Sequence, residues 1–395
     1  MPMPSIPFSL LPILFLTLIF YLSFVSRVIL GPLLPILEGD LGLGHGEAGS
    51  LFLFSASGYC AGLLGSGFVS ARLNHRRTIM LSAIAVGASM LVASRSISVA
   101  GLQVGLALLG FSAGLYLPSG IASLTDQVGE AHWGKALSIH EFAPNLGYIT
   151  APMLAEALLH FLSWRGVLAT VGILGILLGL LFQSVGRGGD RWGEPPGFET
   201  AKRLLQDSSL WIMAALFAVG IGSTMGIYLM MPLYLVSEIR MDREFANTLI
   251  GFSRVAGLAV ILFSGLITDR IGHRRALALF LTVTGALTLL LGILRGPAIT
   301  PVLVFLQAAS AACFFPSAFS IVSHLFVSQV RNLAVSLVVV AGSLVGAGAI
   351  PMGIGYFAEA FSFSFAICIT GLLTLGVVPL LLGVSGTRNS SDPEN

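Results

Sequence analysis

Long runs of apolar residues, separated by short polar breaks, dominate the chain from end to end. Runs of about 18 residues or more can cross roughly 30 Å of hydrocarbon as an α-helix. Backbone groups in lipid must be hydrogen-bonded internally, and the alternating pattern of a membrane β-barrel is absent, so helices are predicted. The breaks predict twelve spanning helices, over 9–36, 47–70, 77–95, 100–122, 135–160, 164–184, 208–236, 245–268, 276–295, 299–323, 332–358 and 361–385.

The composition supports an all-α integral membrane protein. Hydrophobic residues make up 55% of the chain and charged residues 10%, whereas soluble domains carry about 25% charged residues. The net charge of +2 gives no sign of nucleic-acid binding. The 3 cysteines all lie in apolar runs, which argues against a disulfide framework. No basic residue precedes Leu10, so we expect the first residues to lead directly into span one rather than form a cleaved signal peptide.

One interruption, at 185–207, is longer than the others, and its glycines and prolines are typical of a linker. The predicted domains are an N-terminal six-helix bundle over 1–184, a linker over 185–207, a C-terminal six-helix bundle over 208–385 and a tail over 386–395. Loops on the side of the N-terminus hold most of the lysines and arginines. This excess places both termini, the linker and the tail in the cytoplasm.

The two predicted halves share an internal repeat. Residues 67–77 read G-F-V-S-A-R-L-N-H-R-R and residues 265–275 read G-L-I-T-D-R-I-G-H-R-R, which is an offset of 198 residues. The same offset relates Pro118-Ser119 to Pro316-Ser317 and Ser138 to Ser336. Several markers in one register indicate duplication of a six-helix unit, an arrangement known among transporters.

The repeated loop resembles the motif G-x-x-x-D-R-x-G-x-R-R of the major facilitator superfamily. The second copy matches it fully, whereas the first has Ala71 for the aspartate and Asn74 for the second glycine. The resemblance implies two six-helix bundles that rock about a central site, with these loops acting as conformational latches. The residues assigned to the latches are Gly67, Arg72, Arg76, Arg77, Gly265, Asp269, Arg270, Gly272, Arg274 and Arg275.

Two arginines lie inside predicted spans, where a charge costs about 2.5–3.5 kcal/mol on insertion scales, so they are candidates for function. Arg27 is near the middle of span one, and its surroundings resemble the organophosphate and anion:cation symporter branches of the superfamily. That resemblance implies an arginine that binds an anionic substrate. Arg254 in span eight has no counterpart in the first repeat and would supply a second cation. The alternative for both is a structural arginine paired within the protein.

Span five carries His140 and Glu141, which correspond to Val338 and Val339 in the repeat alignment. Either could carry a coupling proton, and the alternative is a solvated rim or gate pair near the inner interface. Glu156 and Glu359 lie near outer span ends, where we expect solvent exposure. Further candidates for hydrogen bonds to a solute, with interfacial anchoring as the alternative for the tyrosines, are Tyr21, Tyr116, Asn145 and Tyr228.

No P-loop, H-E-x-x-H or C-x-x-C pattern occurs, so no ATP-driven pump, metal site, cofactor or enzyme is predicted. The main hypothesis is a monomeric secondary transporter of a small organic anion in a bacterial inner membrane, driven by protons. One alternative is a proton-driven exporter of drugs or amphipathic, lipid-like molecules in the same fold. A non-transporting receptor or a membrane enzyme is the other alternative.

Overall fold

The computed structural model describes residues 10–195 and 197–383, and every regular element within those ranges is helical. The predicted start at residue 9, the end at 385 and the tail at 386–395 lie outside them. Ten of the described helices are long and apolar enough to cross a membrane. The helices are α1 Leu10–Leu41, α2 His45–Ser94, α3 Val99–Asp126, α4 Trp133–Leu159, α5 Trp164–Val185, α6 Phe198–Leu205, α7 Ser208–Glu238, α8 Arg243–Ile271, α9 His273–Ile293, α10 Ile299–Leu325, α11 328–360 and α12 Phe363–Gly383.

The predicted spans two and three form the single helical element α2, which contains a sharp break. Asn74 has φ 64° and ψ 168°, so the two segments on either side of it do not continue one another. The first segment runs parallel to α3, since Gly110 packs on Ser55 and Gly114 packs on Tyr59. The second runs antiparallel to α3, since Gly105 packs on Ala93 and Ser82 donates a hydrogen bond to the carbonyl of Ser112 at 2.6 Å. The 50 residues of α2 therefore make two antiparallel segments.

The break at Asn74 has a counterpart at the predicted repeat position. Gly272, which lies 198 residues later, has φ 84° and ψ 149° and separates α8 from α9. This combination of positive φ with ψ near 180° is adopted almost only by glycine, so Asn74 holds a strained backbone conformation. The Asn74 side chain accepts a hydrogen bond from the Arg77 backbone N–H at 2.9 Å, which helps to hold the turn. The degraded first loop therefore keeps the backbone turn of the second loop.

The linker packs against this first turn. Its backbone carbonyls at Gly189 and Arg191 accept hydrogen bonds from the N–H groups of Arg76 (2.7 Å) and His75 (3.1 Å). Asp190 lies 3.9 Å from Arg76, so the linker places a carboxylate beside the loop that lacks its own at position 71. The linker is thus fixed on the N-terminal half before the short helix α6 begins.

The end of the bundle opposite residue 10 is called the distal end below, and the end that carries Asn74 and Gly272 the proximal end. At the distal end, Asp40 closes α1 against α5: its carboxylate accepts hydrogen bonds from the Trp164 indole at 2.8 Å and from Arg165 at 2.5 Å. The Trp-Arg pair that opens predicted span six therefore holds two helices of the N-terminal half together.

Contacts between the two halves concentrate toward the distal end. Small residues allow close approach there: a Cβ at Gly49 would meet the backbone of Pro351, and a Cβ at Gly355 would meet the backbone of His45. The carboxylate of Glu359 on α11 accepts a hydrogen bond from the Gly46 N–H at 3.0 Å. Among the described residues, this is the first of two carboxylates that join the halves at the distal end.

The second carboxylate is Glu156 on α4. It lies 3.1 Å from an Arg243 nitrogen on α8 and accepts a hydrogen bond from the Asn247 amide at 2.5 Å. Only 5% of Glu156 is exposed, so the expectation of a solvated Glu156 is wrong, whereas Glu359 is exposed as expected. Tertiary packing of α8 onto α4 buries a position that the sequence places at a span end.

Candidate functional site

Arg27 lies near the middle of α1. Its guanidinium carbon sits 3.7 Å from the centroid of the Tyr59 ring on α2. Its Nε is buried and has no hydrogen-bond partner within the described part of the chain. Because the ring covers one face of the guanidinium, a ligand would approach along its edge, where the N–H groups point.

Arg254 on α8 is more deeply buried, with 9% of the residue exposed. One terminal nitrogen donates a hydrogen bond to the backbone carbonyl of Thr224 at 2.8 Å. Thr224 lies in a π-helical turn of α7, Gly222–Gly226, and such turns often occur at functional sites. The rings of Tyr148 and Tyr228 lie 4.8 Å from the guanidinium carbon, and Nε has no partner among the described residues.

Aromatic rings connect the two arginines. Tyr148 on α4 makes edge-to-face contacts with Phe24 on α1 and with Tyr228 on α7, at 4.8 Å in each case. The Tyr228 hydroxyl donates a hydrogen bond to the backbone carbonyl of Tyr148 at 3.0 Å. Phe24 is one helical turn before Arg27 on the same helix. Both halves of the molecule therefore contribute to one centre.

A small cavity of about 40 Å³ opens beside Arg254. Asn145 and Tyr148 line it from α4, and Thr224 and Phe315 line it from α7 and α10. The Asn145 amide nitrogen already donates to the backbone carbonyl of Glu141 at 3.1 Å, which leaves its oxygen as an acceptor. The cavity therefore combines one cation, an amide and aromatic walls.

Neither Arg27 nor Arg254 forms an ion pair with a carboxylate of residues 10–195 or 197–383. The arginines that do form such pairs are Arg76, Arg165, Arg191, Arg243 and Arg295. Buried charges in proteins are usually paired, because an unpaired one costs several kcal/mol. The two central arginines are thus suited to an anion that comes from outside the protein.

His140 lies away from these arginines, inside the N-terminal half. It is 0% exposed and stacks on Phe20 with a centroid distance of 4.5 Å. Tyr116 is also fully buried, and its hydroxyl donates to the Leu16 carbonyl at 2.7 Å while lying 3.1 Å from His140 Nε2. A phenol has one proton, so Nε2 must be the donor in this second contact, and Nδ1 is left without a proton in the neutral ring.

That free Nδ1 points toward Glu141. The two groups are 3.6 Å apart, and 57% of the Glu141 side chain is exposed. His140 Nδ1 has no hydrogen-bond partner within the described residues. An exposed carboxylate thus lies beside a buried imidazole that can accept one proton.

Tyr21 connects α1 to α4 rather than lining the cavity beside Arg254. The Thr150 hydroxyl donates to the Leu146 carbonyl at 2.8 Å, so the Tyr21 hydroxyl donates to Thr150 in their 2.7 Å contact. Tyr116 likewise lies beside His140 instead of the arginines. Of the predicted polar candidates, the structure brings Arg254, Asn145 and Tyr228 together, with Arg27 on the other side of the aromatic contacts.

Sequence reasoning missed Tyr59 and Tyr148, although both cover an arginine. A signal for Tyr148 was present, because it follows Asn145 by three residues and therefore lies on the same face of a helix. Tyr59 had no such signal. Its contact with Arg27 depends on how α2 packs against α1.

The predicted latch residues lie at the two proximal turns. His75 and His273 each contact a serine of the helix that follows their own: Ser119 of α3 at 3.2 Å and Ser320 of α10 at 3.0 Å. Asp269 is exposed, whereas one nitrogen of Arg274 is buried without a partner in the described chain. The remaining residues assigned to the latches and found in or next to these turns are Arg72, Arg76, Arg77, Arg270, Gly272 and Arg275, whereas Gly67 and Gly265 each lie seven residues earlier, inside α2 and α8.

Comparison with known proteins agrees with this architecture. The family model of the Major Facilitator Superfamily matches residues 16–304 and, in a second match, residues 212–395. The inward-facing, occupied structure of a bacterial homologue of the human lysosomal transporter Spinster superposes with a TM-score of 0.82 at 15% identity, covering 97% of this chain and 98% of that one. A D-xylose-proton symporter superposes with a TM-score of 0.79 at 16% identity, covering 95% and 98%.

A curated relative with matching sequence is named "Probable L-galactonate transporter", from Escherichia coli (strain K12). It is 23% identical over 171 residues, and the match spans 38% of this chain and 38% of that protein. The family match covers nearly the whole chain, and the solved neighbours are transporters with the same arrangement of helices. This chain therefore belongs to the Major Facilitator Superfamily and is a multi-pass membrane transporter, not an enzyme.

Proposed function

We propose that this transporter carries a small organic anion by alternating access, in symport with a proton. The observation that supports the anion is the pair of arginines, Arg27 and Arg254, at the contact between the halves without a carboxylate partner in the described residues. A guanidinium is always charged and can bind a carboxylate with two parallel hydrogen bonds.

Twelve spans follow if both segments of α2 and the proline-containing α4 cross the membrane along with the other nine apolar helices. An even number places both termini on one side, and the positive charge of the proximal loops indicates the cytoplasm of a bacterial inner membrane. The moving units are then the bundles 1–184 and 208–385, joined by the cytoplasmic linker 185–207. The solute site lies between halves of one chain, which suits a monomer.

The aromatic surroundings favour a carboxylate attached to a compact polar body. Tyr59 covers Arg27, while Tyr148 and Tyr228 flank Arg254, so rings are available to pack against the solute while Asn145 accepts a hydrogen bond. The name of the Escherichia coli relative refers to a sugar acid, which has this combination of carboxylate and hydroxyl groups. A hydroxylated monocarboxylate is therefore the first solute class to test.

His140 and Glu141 are the proposed proton carriers. A proton arriving at the exposed Glu141 can be shared with Nδ1 of His140 at 3.6 Å, while Nε2 stays bonded to Tyr116. The pair lies on α4, the helix that also supplies Asn145 and Tyr148 to the solute site. Rotation of α4 during rocking would therefore affect proton and solute together.

The described conformation is closed at the distal end, where Glu156 and Glu359 join the halves. Alternating access would require these contacts to break as the proximal turns at Asn74 and Gly272 come together. The proximal loops would then act as the latch of the opposite state.

Uptake by proteoliposomes tests the proposal. A panel of hydroxylated monocarboxylates, neutral sugars and amphipathic cations would be offered with and without an inwardly directed proton gradient. We expect gradient-driven uptake of carboxylates alone, a loss of it in Arg27→Gln, and no loss in Arg191→Gln, whose side chain pairs with Asp126 at 3.1 Å on the linker side.

Carboxylate uptake that is equal in Arg27→Gln and wild type would contradict the anion site. Export of amphipathic cations in exchange for protons that move down the proton gradient, with no carboxylate uptake, would favour the exporter alternative.

A further inference from the structure

An apolar groove of about 550 Å³ runs along the outside of the N-terminal half, separate from the arginine site. Its walls come from the first turns of α1, including Leu14 and Leu18, and from the last turns of α5, including Leu181 and Val185. Phe15 of α1 packs on Phe182 of α5 at 5.5 Å. The two helices therefore touch at the floor of the groove, and the side chains on either side of this contact form its walls.

The groove carries one charge, Arg187, at the point where α5 gives way to the linker. Arg187 is exposed and has no ion pair with a carboxylate of the described residues, although the nearby Arg76 pairs with Asp190 and Arg191 pairs with Asp126. The mouth of the groove is therefore positive and lies at the proximal end, where the chain is richest in basic residues.

The position of Arg187 is fixed from both sides. The Gly186 N–H donates to the Phe182 carbonyl at 2.9 Å, which ends α5. Two residues beyond Arg187, the Gly189 carbonyl accepts the Arg76 N–H at 2.7 Å. The arginine is thus held at the mouth of the groove rather than carried on a free loop.

We propose that this groove binds one anionic phospholipid, with an acyl chain along the leucines and the phosphate on Arg187. Basic pockets between transmembrane helices are suited to anionic headgroups. The exposed leucines of α1 and α5 supply an apolar surface along several helical turns. In a membrane transporter, lipid is the apolar molecule that surrounds such a surface. The lipid would contact both α1, which carries Arg27, and the linker.

Native mass spectrometry of the full-length protein, with equal amounts of phosphatidylglycerol and phosphatidylcholine, tests this site. We expect preferential retention of one phosphatidylglycerol. Arg187→Gln should reduce that preference about fivefold, since one basic residue near anionic lipid contributes about 1 kcal/mol. Arg191→Gln, four residues away and paired with Asp126, should retain the preference.

A second variant tests the apolar part. Leu181→Trp should fill the groove and lower retention of both lipids, whereas Leu177→Trp, on the exposed face of the same helix but outside the groove, should not. Equal lipid retention by wild type, Arg187→Gln and Leu181→Trp would overturn the proposal.

The residues before Leu10 are the other conceivable occupant. If wild type retained no phosphatidylglycerol and a variant lacking residues 2–8 did, the groove would belong to that segment, and the proposal would be wrong. The lipid assay is independent of solute transport, so its outcome does not depend on the proposed anion.

Discussion

Replacing Glu156 with glutamine is expected to weaken the closure of the distal end. The carboxylate lies 3.1 Å from Arg243 and accepts the Asn247 amide at 2.5 Å, across the contact between α4 and α8. Glutamine keeps the size and one acceptor oxygen but removes the charge. Arg243 would then be left beside a neutral group whenever the distal end is closed.

The size of the effect follows from burial. Removing one partner of a buried ion pair costs about 3–5 kcal/mol, because the remaining charge is uncompensated. The Arg243 side chain is 32% exposed and water can partly solvate it, so we expect about 1–2 kcal/mol here. Since 1.4 kcal/mol corresponds to tenfold, the ratio of distal-open to distal-closed molecules should rise about tenfold.

Spin labels on cysteines at positions 161 and 361 can measure this ratio. Phe161 follows α4 and Phe361 follows α11, and both are exposed distal residues of opposite halves. The labels would be placed in a background without the native thiols of Cys60, Cys313 and Cys368. Pulsed electron–electron double resonance should show that a larger fraction of Glu156→Gln molecules has the longer distance between the two labels.

Glu359→Gln is the matched control. Glu359 accepts a backbone N–H from Gly46 and is exposed, so a glutamine oxygen can replace it with little change. An unchanged distance distribution in Glu156→Gln, or an equal change in Glu359→Gln, would refute a lock that depends on the Glu156 charge. The double variant with Arg243→Gln should show less than the sum of the single effects, because both remove the same pair.

Three further predictions concern the centre and the proximal turn. Tyr148→Leu should weaken solute binding up to about tenfold in a filter or calorimetric assay, through loss of the cation–π contact with Arg254, whereas Tyr148→Phe should bind like wild type. Equal binding by wild type and both variants would argue against the aromatic wall. Glu141→Gln and His140→Asn should abolish proton-driven uptake but leave solute exchange without a gradient, and intact gradient-driven uptake in both would exclude the pair as proton carriers. Asn74→Val should lower the thermal unfolding midpoint, because φ 64° with ψ 168° costs a non-glycine residue about 1–3 kcal/mol and a β-branched side chain tolerates it least. Asn74→Gly should not lower the midpoint, because glycine relieves this strain in exchange for one side-chain hydrogen bond, and equal midpoints for the two variants would contradict backbone strain at this turn.

The sequence predicted the fold closely because lipid imposes a simple rule on it. Apolar run length and polar breaks located the helices within a few residues, and the 198-residue offset paired Asn74 with Gly272, which share an unusual backbone conformation. The same rule made Arg27 and Arg254 visible, since a charge inside an apolar run is rare. These inferences need only local information.

Pairwise packing could not be obtained in this way. Nothing local placed Tyr59 over Arg27, buried Glu156 between the halves or set His140 against Tyr116. Each contact joins helices distant in the chain, and its geometry depends on helix rotation, which the nearly uniform apolarity of membrane helices does not encode. The sequence by itself therefore determined where the apolar helices lie and that the loop between them repeats, whereas the tertiary structure decided which polar groups meet, because only packing sets the face that each helix presents.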